Sequence, residues 1–450
     1  MNERSEVEQE QQVDQVERVD VLVAGAGLAG LAAAAVAAGG DRQVLVADSR
    51  MPGGRARTDR RGDVLFNLGG HALFRAGEGR AVLNRLGLTP RGGRPPLTQS
   101  YGWRGDQMLR LPANASTLVR TELLGFRSKA QVGRLLARID RIDPEPLAGL
   151  SLGGWIQGLG LRADAEELVI SLARTATYAA DLERLSADAG VRQLQRAMTA
   201  GVEYLDGGWQ QVVDGLTQVA EQRGVRVRTG ARLTRVQPAD DSRGGWTATF
   251  DDPHHGSRQV QAASVVLAVG SPAAGAAVLG VEATVLGWDA ASVGPELTAA
   301  CLDLGLRRPP DRPFVLGLGP DRPLFLTTHA PTARLAAPGQ GVVHVLRYGA
   351  RDASADRAQL GELVAAAGID QADVIVDRFL HRMVVAHGAP QPGAGLAGRP
   401  PVTVVDRPGL FVTGDWVGPA GLLADASLAS AEVAGRLASA HAAAELLSTP

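Results

Sequence analysis

The sequence predicts an α/β protein whose first domain is assembled from three separated segments of the chain. Near the start, an apolar strand at 19–24 leads into the glycine-rich turn 25–30, which is followed by an alanine-rich helical run. A second strand, at 43–47, ends in Asp48, and a further apolar strand, at 410–413, returns late in the chain before a long helix. A strand, a glycine turn, a helix and a strand that closes on an acid are the pattern of a dinucleotide-binding site.

Each glycine of the turn has its own task in such a site. Gly25 makes the tight turn, Gly27 lets the backbone approach a pyrophosphate, and Gly30 lets the helix pack on the strand. The N-terminus of the helix offers free N–H groups and the positive end of its dipole to the phosphates. Asp48 is placed to accept hydrogen bonds from a ribose.

The same hexapeptide recurs unchanged at 393–398, where prolines lie on both sides and no strand precedes it. Because proline blocks a following helix, we predict a loop there. We expect Gly395→Val in this second copy to leave nucleotide binding nearly unchanged, whereas Gly27→Val abolishes it.

Composition restricts the class of protein. Hydrophobic residues make up 45% of the 450 residues, too many for a disordered chain. The formal net charge of −2 gives no reason to expect a nucleic-acid partner. The single cysteine, Cys301, rules out an internal disulfide and a redox cysteine pair. The pair His254 and His255 has no evident third ligand, so we predict no metal site.

The order of the elements predicts how the domains are organised. The first 18 residues are polar and acid-rich, which predicts a disordered tail and, without a secretory leader, a cytoplasmic location. Residues 19–79, 205–275 and 400–450 are expected to form the nucleotide-binding domain. Residues 80–204, with helical periodicity, and 276–399, where short strands alternate with proline and glycine turns, are expected to form an inserted substrate-binding domain with a mostly antiparallel sheet.

The motifs resemble the superfamily of FAD-dependent amine oxidases, phytoene desaturases and protoporphyrinogen oxidases. GAGLAG with Asp48, PGGRART, GGHALF, GGWQ and FVTGDWVGPAGLLADASLASA carry the resemblance, in that order, and it covers nearly the whole chain after Val19. It implies a Rossmann-type FAD-binding domain that holds FAD non-covalently in an extended pose. The residues it assigns to the cofactor are Gly25, Gly27, Gly30, Asp48, Arg55, Arg57, Gly70, His71, Leu233, Gly414, Asp415, Trp416, Gly421 and Leu422.

The resemblance also implies how these residues share the cofactor. The pyrophosphate would lie near Gly27 and Arg55, the ribityl phosphate near Asp415, and the ring near Gly70, His71 and the last helix. Trp416 would either cover the ring or pack in the core. Because reduced flavin carries negative charge, the N-terminus of the last helix would stabilise it.

One departure from the superfamily favours its desaturase-like branch. Amine oxidases of this superfamily typically place a lysine beside flavin N5, whereas Lys129, the one lysine of this chain, lies in an early helical segment. We therefore predict an FAD-dependent oxidoreductase that takes hydride from a hydrophobic or polycyclic substrate and passes electrons to oxygen, a quinone or another acceptor. An amine oxidase lacking the usual lysine, and a non-redox binding protein with the same fold, stay open as alternatives.

Two further features bear on the substrate. His381 and Arg382 are candidate catalytic residues, since they lie where related proteins bring a strand to the flavin ring, and His381 could serve as acid or base or be structural. The stretch 118–142 alternates apolar and basic residues. It would either contact an anionic membrane surface peripherally or form an ordinary helix pair with a solvated basic face.

Overall fold

The computed structural model describes residues 16–40, 42–240, 244–253 and 256–448. The predicted tail up to residue 15 and the pair His254 and His255 lie outside this range. The first strand begins at Glu17, two residues earlier than the sequence pattern indicates, and Glu17 pairs with Val260 of a neighbouring strand.

The first sheet has seven strands drawn from distant parts of the chain. Five of them are parallel, and two antiparallel strands extend the sheet beyond its longest member. The parallel strands, in sheet order, are Arg226–Thr229, Val44–Asp48, Glu17–Ala24, Gly256–Leu267 and Leu410–Val412; the antiparallel ones are Trp246–Asp252 and Arg232–Pro238. The sheet therefore joins segments that are almost 400 residues apart.

The helices of this sheet pack closely because small residues line their contacts. The helix Leu28–Ala37 is largely alanine and is buried along most of its length. It lies against the last helix, Leu423–Ser448, at Gly435, where an added Cβ would stand 2.4 Å from the carbonyl oxygen of Ala33. Only a residue without a side chain permits this approach.

The second sheet also has seven strands and is mostly antiparallel. In sheet order they are Val374–Ala386, Leu297–Leu306, Gly341–Tyr348, Leu324–Ala330, Phe314–Gly317, Ser100–Arg104 and Gln107–Arg110. Two small sheets complete the strands, formed by Thr58–Arg61 with Val64–Asn67, and by Leu73–Phe74, Val202–Leu205 and Gly92–Gly93. The α/β class and the antiparallel sheet are thus as the sequence predicts.

The segment predicted as helical contains a hairpin as well. Ser100–Arg104 and Gln107–Arg110 pair around Gly105, whose φ is +55°, and the first of them adds to the edge of the second sheet beside Phe314–Gly317. The remaining helices are Glu78–Arg85, Ala115–Arg120, Phe126–Leu136, Leu152–Gly158, Ala163–Thr177, Ala187–Thr199, Gln210–Gln222, Pro272–Val278, Ala290–Val293 and Ala353–Ala366. Among the described residues, no helix combines the length and the hydropathy that crossing a bilayer requires.

Candidate functional site

A cavity of about 1700 Å³ begins where the parallel strands end and continues into the helical part of the molecule. Ala24, Ala47 and Ala268 border it at the carboxyl ends of three neighbouring strands. In sheets of this kind, ligands bind outside those strand ends. The cavity is therefore the place to test the residues that the sequence assigns to a cofactor.

The glycine turn forms one wall of the cavity. Gly25 has a φ of +112°, and an added Cβ would stand 2.3 Å from the carbonyl oxygen of Ala268. An added Cβ on Gly30 would stand 1.8 Å from the carbonyl oxygen of Gly25, whereas one on Gly27 would meet nothing within 4 Å. The structure thus brings Gly25 and Gly30 into close backbone packing and leaves open space beside Gly27.

That open space lies at the N-terminus of the helix Leu28–Ala37. Gly27 is the N-cap and no side chain caps the helix, so its first N–H groups lack intrahelical partners. Gly27, Leu28 and Ala29 all line the cavity. A free helix N-terminus beside empty space fits a pyrophosphate group.

Asp48 lies on the same wall and organises the turn. One of its carboxylate oxygens accepts the Ala26 N–H at 2.7 Å, and the other accepts the Arg50 N–H at 2.8 Å. Each oxygen of an ionised carboxylate can accept a second bond, so Asp48 keeps capacity for a ribose hydroxyl. Leu233, also predicted for the cofactor, lines the cavity beside Arg232.

Arg55 and Asp415 meet across the cavity although 360 residues separate them. Arg55 Nη1 donates to Asp415 Oδ2 at 2.7 Å and to the carbonyl oxygen of Val385 at 3.0 Å. The Asp415 side chain is 2% exposed, and its Oδ1 has no hydrogen-bond partner. Since buried polar atoms normally have partners, this orphaned oxygen fits a site that takes a hydrogen-bonding ligand. Arg57, which pairs with Asp59 at 3.3 Å, lines the cavity near Arg55.

Gly70 and His71 lie deeper along the cavity, where the second sheet meets it. The hydroxyl of Tyr178 donates to the Gly70 carbonyl oxygen. An added Cβ on Gly70 would be 3.1 Å from Leu346, so the turn is packed tightly on the sheet. Burial lowers the pKa of His71 to about 4, so this imidazole is neutral at pH 7.

Three predicted cofactor residues lie behind the cavity wall. Trp416 is buried, donates its indole N–H to the Gly270 carbonyl oxygen at 2.8 Å and packs on Trp288, which selects the core role for it. Leu422 packs with the helical core. Gly421 has a φ of +68° and turns the chain into the last helix. The described residues of this region that line the cavity are Thr413, Gly414, Asp415, Leu423, Ala424 and Ser427.

The candidate catalytic residues lie at the outer part of the cavity. His381 and Arg382 are both exposed; His381 Nε2 lies 3.1 Å from the Arg351 carbonyl oxygen and Arg382 Nη2 lies 3.6 Å from a carboxylate oxygen of Glu296. Both border the cavity, so their catalytic role stays a prediction. His329, which the sequence did not single out, lies on its buried part, and burial lowers its pKa well below the usual range.

A buried polar network supports this part of the site and was missed by sequence reasoning. Asp303 accepts from His344 Nδ1 at 2.6 Å and from Arg378 Nε at 2.9 Å, and Arg378 also binds Asp59 at 2.7 Å. Arg378 also donates to the carbonyl oxygen of Asn67, close to Gly70 in the chain. A lone acid in the apolar strand Leu297–Leu306 is the signal that could have revealed it.

The remainder of the cavity is mostly apolar. It runs among the helices between residues 115 and 198, where no carboxylate of the described residues lines it. Thr175 and Tyr178 are the polar side chains of the described lining there, and the apolar ones are Leu118, Val132, Leu135, Leu136, Ile139, Trp155, Leu168, Val169, Leu172, Leu194 and Met198. An apolar ligand would therefore be desolvated along this length of the cavity.

Solved structures with low sequence identity share the fold. An oxidoreductase from Methanosarcina mazei is 17% identical with a TM-score of 0.69, and the match covers 92% of this chain and 99% of that one. Cyclohexylamine oxidase from Brevibacterium oxydans IH-35A is 18% identical, with a TM-score of 0.61 and coverage of 95% and 99%. Rab GDI from Plasmodium falciparum is 11% identical, with a TM-score of 0.60 and coverage of 93% and 98%.

Sequence comparison identifies the family. No curated protein matches the sequence. A family model described as flavin containing amine oxidoreductase matches residues 28–292, more than half of the chain; the match begins within the glycine turn and includes Gly30, Asp48 and Arg55. The chain therefore belongs to the flavin-containing amine oxidoreductase family, and it is a flavoprotein oxidoreductase.

Proposed function

We propose that this protein is an FAD-dependent oxidoreductase of the desaturase-like branch that removes hydride from a hydrophobic or polycyclic organic substrate. FAD would be held non-covalently by Gly27, Asp48, Arg55 and Asp415, and when bound it supplies the acceptor for the hydride. The observation that carries the proposal is the apolar length of the cavity. A substrate bound there would lose its water and gain contact with apolar side chains.

The same part of the cavity argues against a charged amine as substrate. An ammonium group needs a carboxylate or several acceptors to offset its desolvation. Among the described residues, the carboxylates that line the cavity are Asp48 and Asp415, and both belong to the predicted cofactor site and lie outside this part. The deeper imidazoles, His71 and His329, have pKa values lowered by burial and are neutral at pH 7.

Lys129 is not among the residues that line the cavity. Its Nζ donates to the carbonyl oxygen of Val119 at 2.7 Å, within the pair of helices that covers the apolar part of the cavity. We expect Lys129→Met to leave the rate of flavin reduction by substrate unchanged in anaerobic stopped-flow measurements. A large loss of that rate, with fold and FAD content intact, would return the amine-oxidase alternative to first place.

The cofactor and the substrate class are tested together. Purified protein should be yellow and should release FAD on heating, and lipophilic polyenes or polycycles should perturb the flavin absorbance while simple amines and NAD(P)H reduce it slowly. Rapid reduction by amines would support the amine-oxidase alternative, which the fold shared with cyclohexylamine oxidase leaves open. A colourless protein that FAD does not reconstitute would support the non-redox alternative, whose fold precedent is Rab GDI.

A further inference from the structure

Arg399 is a buried arginine that the function proposed above does not use. It is 4% exposed and follows directly on the second copy of the glycine-rich hexapeptide. Its Nη1 donates to the Asp415 carbonyl oxygen at 3.1 Å, and its Nη2 donates to the carbonyl oxygens of Ala420 at 3.1 Å and Gly421 at 2.8 Å. One guanidinium therefore ties together both ends of the segment 415–421.

This segment connects the last strand of the parallel sheet to the last helix. Its first residue, Asp415, and the first turn of the helix, at Leu423 and Ala424, line the cavity. Leu423 has a φ of +56°, unusual for a residue with a branched side chain. The bonds from Arg399 span the segment from Asp415 to Gly421 and end two residues before this unusual conformation.

The second hexapeptide holds Arg399 in place. The Leu396 N–H donates to Asp188 Oδ2 at 3.0 Å, and an added Cβ on Gly395 would stand 2.8 Å from that oxygen. On the other side of Arg399, the carbonyl oxygen of Pro400 accepts the Gly418 N–H at 2.9 Å. The loop is thus fixed to a helix behind it and to the segment in front of it.

The charge of Arg399 is only partly neutralised. Its hydrogen-bond acceptors are neutral carbonyls, and in the described part of the chain no carboxylate oxygen lies within 4.0 Å of it. The carboxylate of Asp415, whose backbone carbonyl accepts from Arg399, pairs with Arg55. Burial lowers the pKa of Arg399 to about 10, which still leaves it protonated at pH 7. A buried cation stabilises nearby negative charge more strongly than an exposed one does.

We propose that Arg399 is a positioning residue that fixes segment 415–421 at the flavin site, and that its buried charge raises the midpoint potential of the bound flavin. The inference rests on the proposed FAD site. The positive charge adds to that of the N-terminus of the last helix, and both favour the negatively charged reduced flavin over the oxidised form.

Three variants separate the two roles. Arg399→Lys keeps the charge, but a single ammonium cannot span three carbonyl oxygens. FAD affinity should therefore fall roughly tenfold, as expected for one lost charge-assisted hydrogen bond. The midpoint potential of this variant should stay near that of the parent. Arg399→Gln and Arg399→Met lose the charge, so the potential should fall as well. Arg436→Gln is the matched control, because it removes an arginine that is 63% exposed, and it should change neither quantity.

Hydrogen exchange reads the positioning role without FAD. In the apoprotein, the amides of 415–421 should exchange faster in Arg399→Lys and Arg399→Gln than in the parent. Unchanged exchange and unchanged FAD affinity in Arg399→Lys would overturn the positioning role. An unchanged potential in FAD-loaded Arg399→Gln, or in Arg399→Met where Gln does not fold, would overturn the electrostatic role. A parent protein that binds no FAD would instead overturn the proposed function and the claim on potential, with the exchange result still standing.

Discussion

Asp48 stabilises the glycine turn from within and still faces the cavity. Its two oxygens accept the N–H groups of Ala26 and Arg50. Asp48→Ala should weaken FAD binding by about 1.5–3 kcal/mol, the usual range for a hydrogen bond to a charged group, or roughly ten- to hundredfold. Fluorescence titration of the apoprotein with FAD measures the change.

Asp20→Ala is the control for this substitution. Asp20 lies in the neighbouring strand, Glu17–Ala24, and does not line the cavity; its carboxylate also accepts a backbone N–H, that of Gln43 at 2.8 Å. It should leave FAD affinity unchanged. Equal losses in both variants would mean that Asp48 acts through the fold and not through the cofactor.

The buried carboxyl group of Asp425 makes the stability of the folded protein depend on pH. It is 2% exposed in the first turn of the last helix, where Oδ1 accepts the Gly79 N–H at 2.9 Å and Oδ2 lies 3.9 Å from Arg196. Burial raises the pKa of Asp425 to about 6, above its value in the unfolded chain. The folded state therefore holds this proton more tightly, and stability falls as pH rises from about 4 to about 6.

Asp425→Asn removes the cost of burying an ionised carboxylate above about pH 6. At pH 7.5 the variant should be more stable to urea than the parent by up to about 2–3 kcal/mol, from a shift of about two pKa units, and the gain should shrink toward pH 4. Urea unfolding between pH 4 and pH 8 tests it. A difference that does not vary with pH would show that Asp425 titrates normally.

At the scale of elements, Gly27 of the glycine turn is a position where a substitution should affect cofactor binding without affecting folding. Gly27 has an extended backbone with open space beside it, so a valine fits the folded chain and intrudes only on a bound pyrophosphate. Gly27→Val should therefore abolish FAD binding while the melting temperature of the apoprotein stays near that of the parent. Differential scanning fluorimetry and FAD titration of the same preparation test this.

Gly39→Val is the control for Gly27→Val, because Gly39 lies just past the other end of the same helix. Gly39, beyond its C-terminus, has only a carbonyl oxygen at 3.6 Å from an added Cβ, so Gly39→Val should bind FAD normally. The second hexapeptide is a loop with one short 3₁₀ turn, as predicted. The expectation that Gly395→Val leaves FAD affinity nearly unchanged stays a prediction, but the structure makes this variant a poor control. Gly395 has a φ of +58° and its Cβ would press on Asp188 and Ala148, so a valine there strains the fold.

The stretch 118–142 forms two helices, not one continuous amphipathic helix. Leu118 and Leu136 line the cavity, so part of its apolar surface faces inward. Val119 and Phe126 are 72% and 87% exposed near basic residues. The stretch is therefore a helix pair, and its peripheral contact with a membrane stays a prediction.

At the scale of the whole molecule, this surface places exposed apolar groups next to the helices that cover the substrate cavity. If it contacts a membrane, binding to vesicles of anionic lipid should fall as salt rises, because the Debye length shortens. Phe126→Glu should weaken binding, whereas Val405→Glu, at a site 70% exposed elsewhere, should not. Co-sedimentation tests this, and equal binding to neutral vesicles would contradict a basic contact.

The hairpin of Ser100–Arg104 and Gln107–Arg110 shows where the periodicity of apolar residues fails to predict the structure. Tyr101 and Trp103 alternate with polar and glycine positions, and Gly105 supplies the turn, yet the surrounding helical pattern concealed two short strands. The first of them pairs with Phe314–Gly317, more than 200 residues away, and the second pairs with the first. A strand at a sheet edge is specified by its partner as much as by its own residues.

The sequence by itself determined what depends on neighbours in the chain. The glycine turn, the strand ending in Asp48 and the free N-terminus of the first helix follow from backbone sterics and helix geometry over about 30 residues. The tertiary structure alone decided which distant groups meet. It joined Arg55 to Asp415, Asp303 to His344 and Arg378, and Arg399 to segment 415–421. These contacts arise when sheet pairing and burial bring separate segments together, and no local pattern records them because each partner is an ordinary residue in its own surroundings.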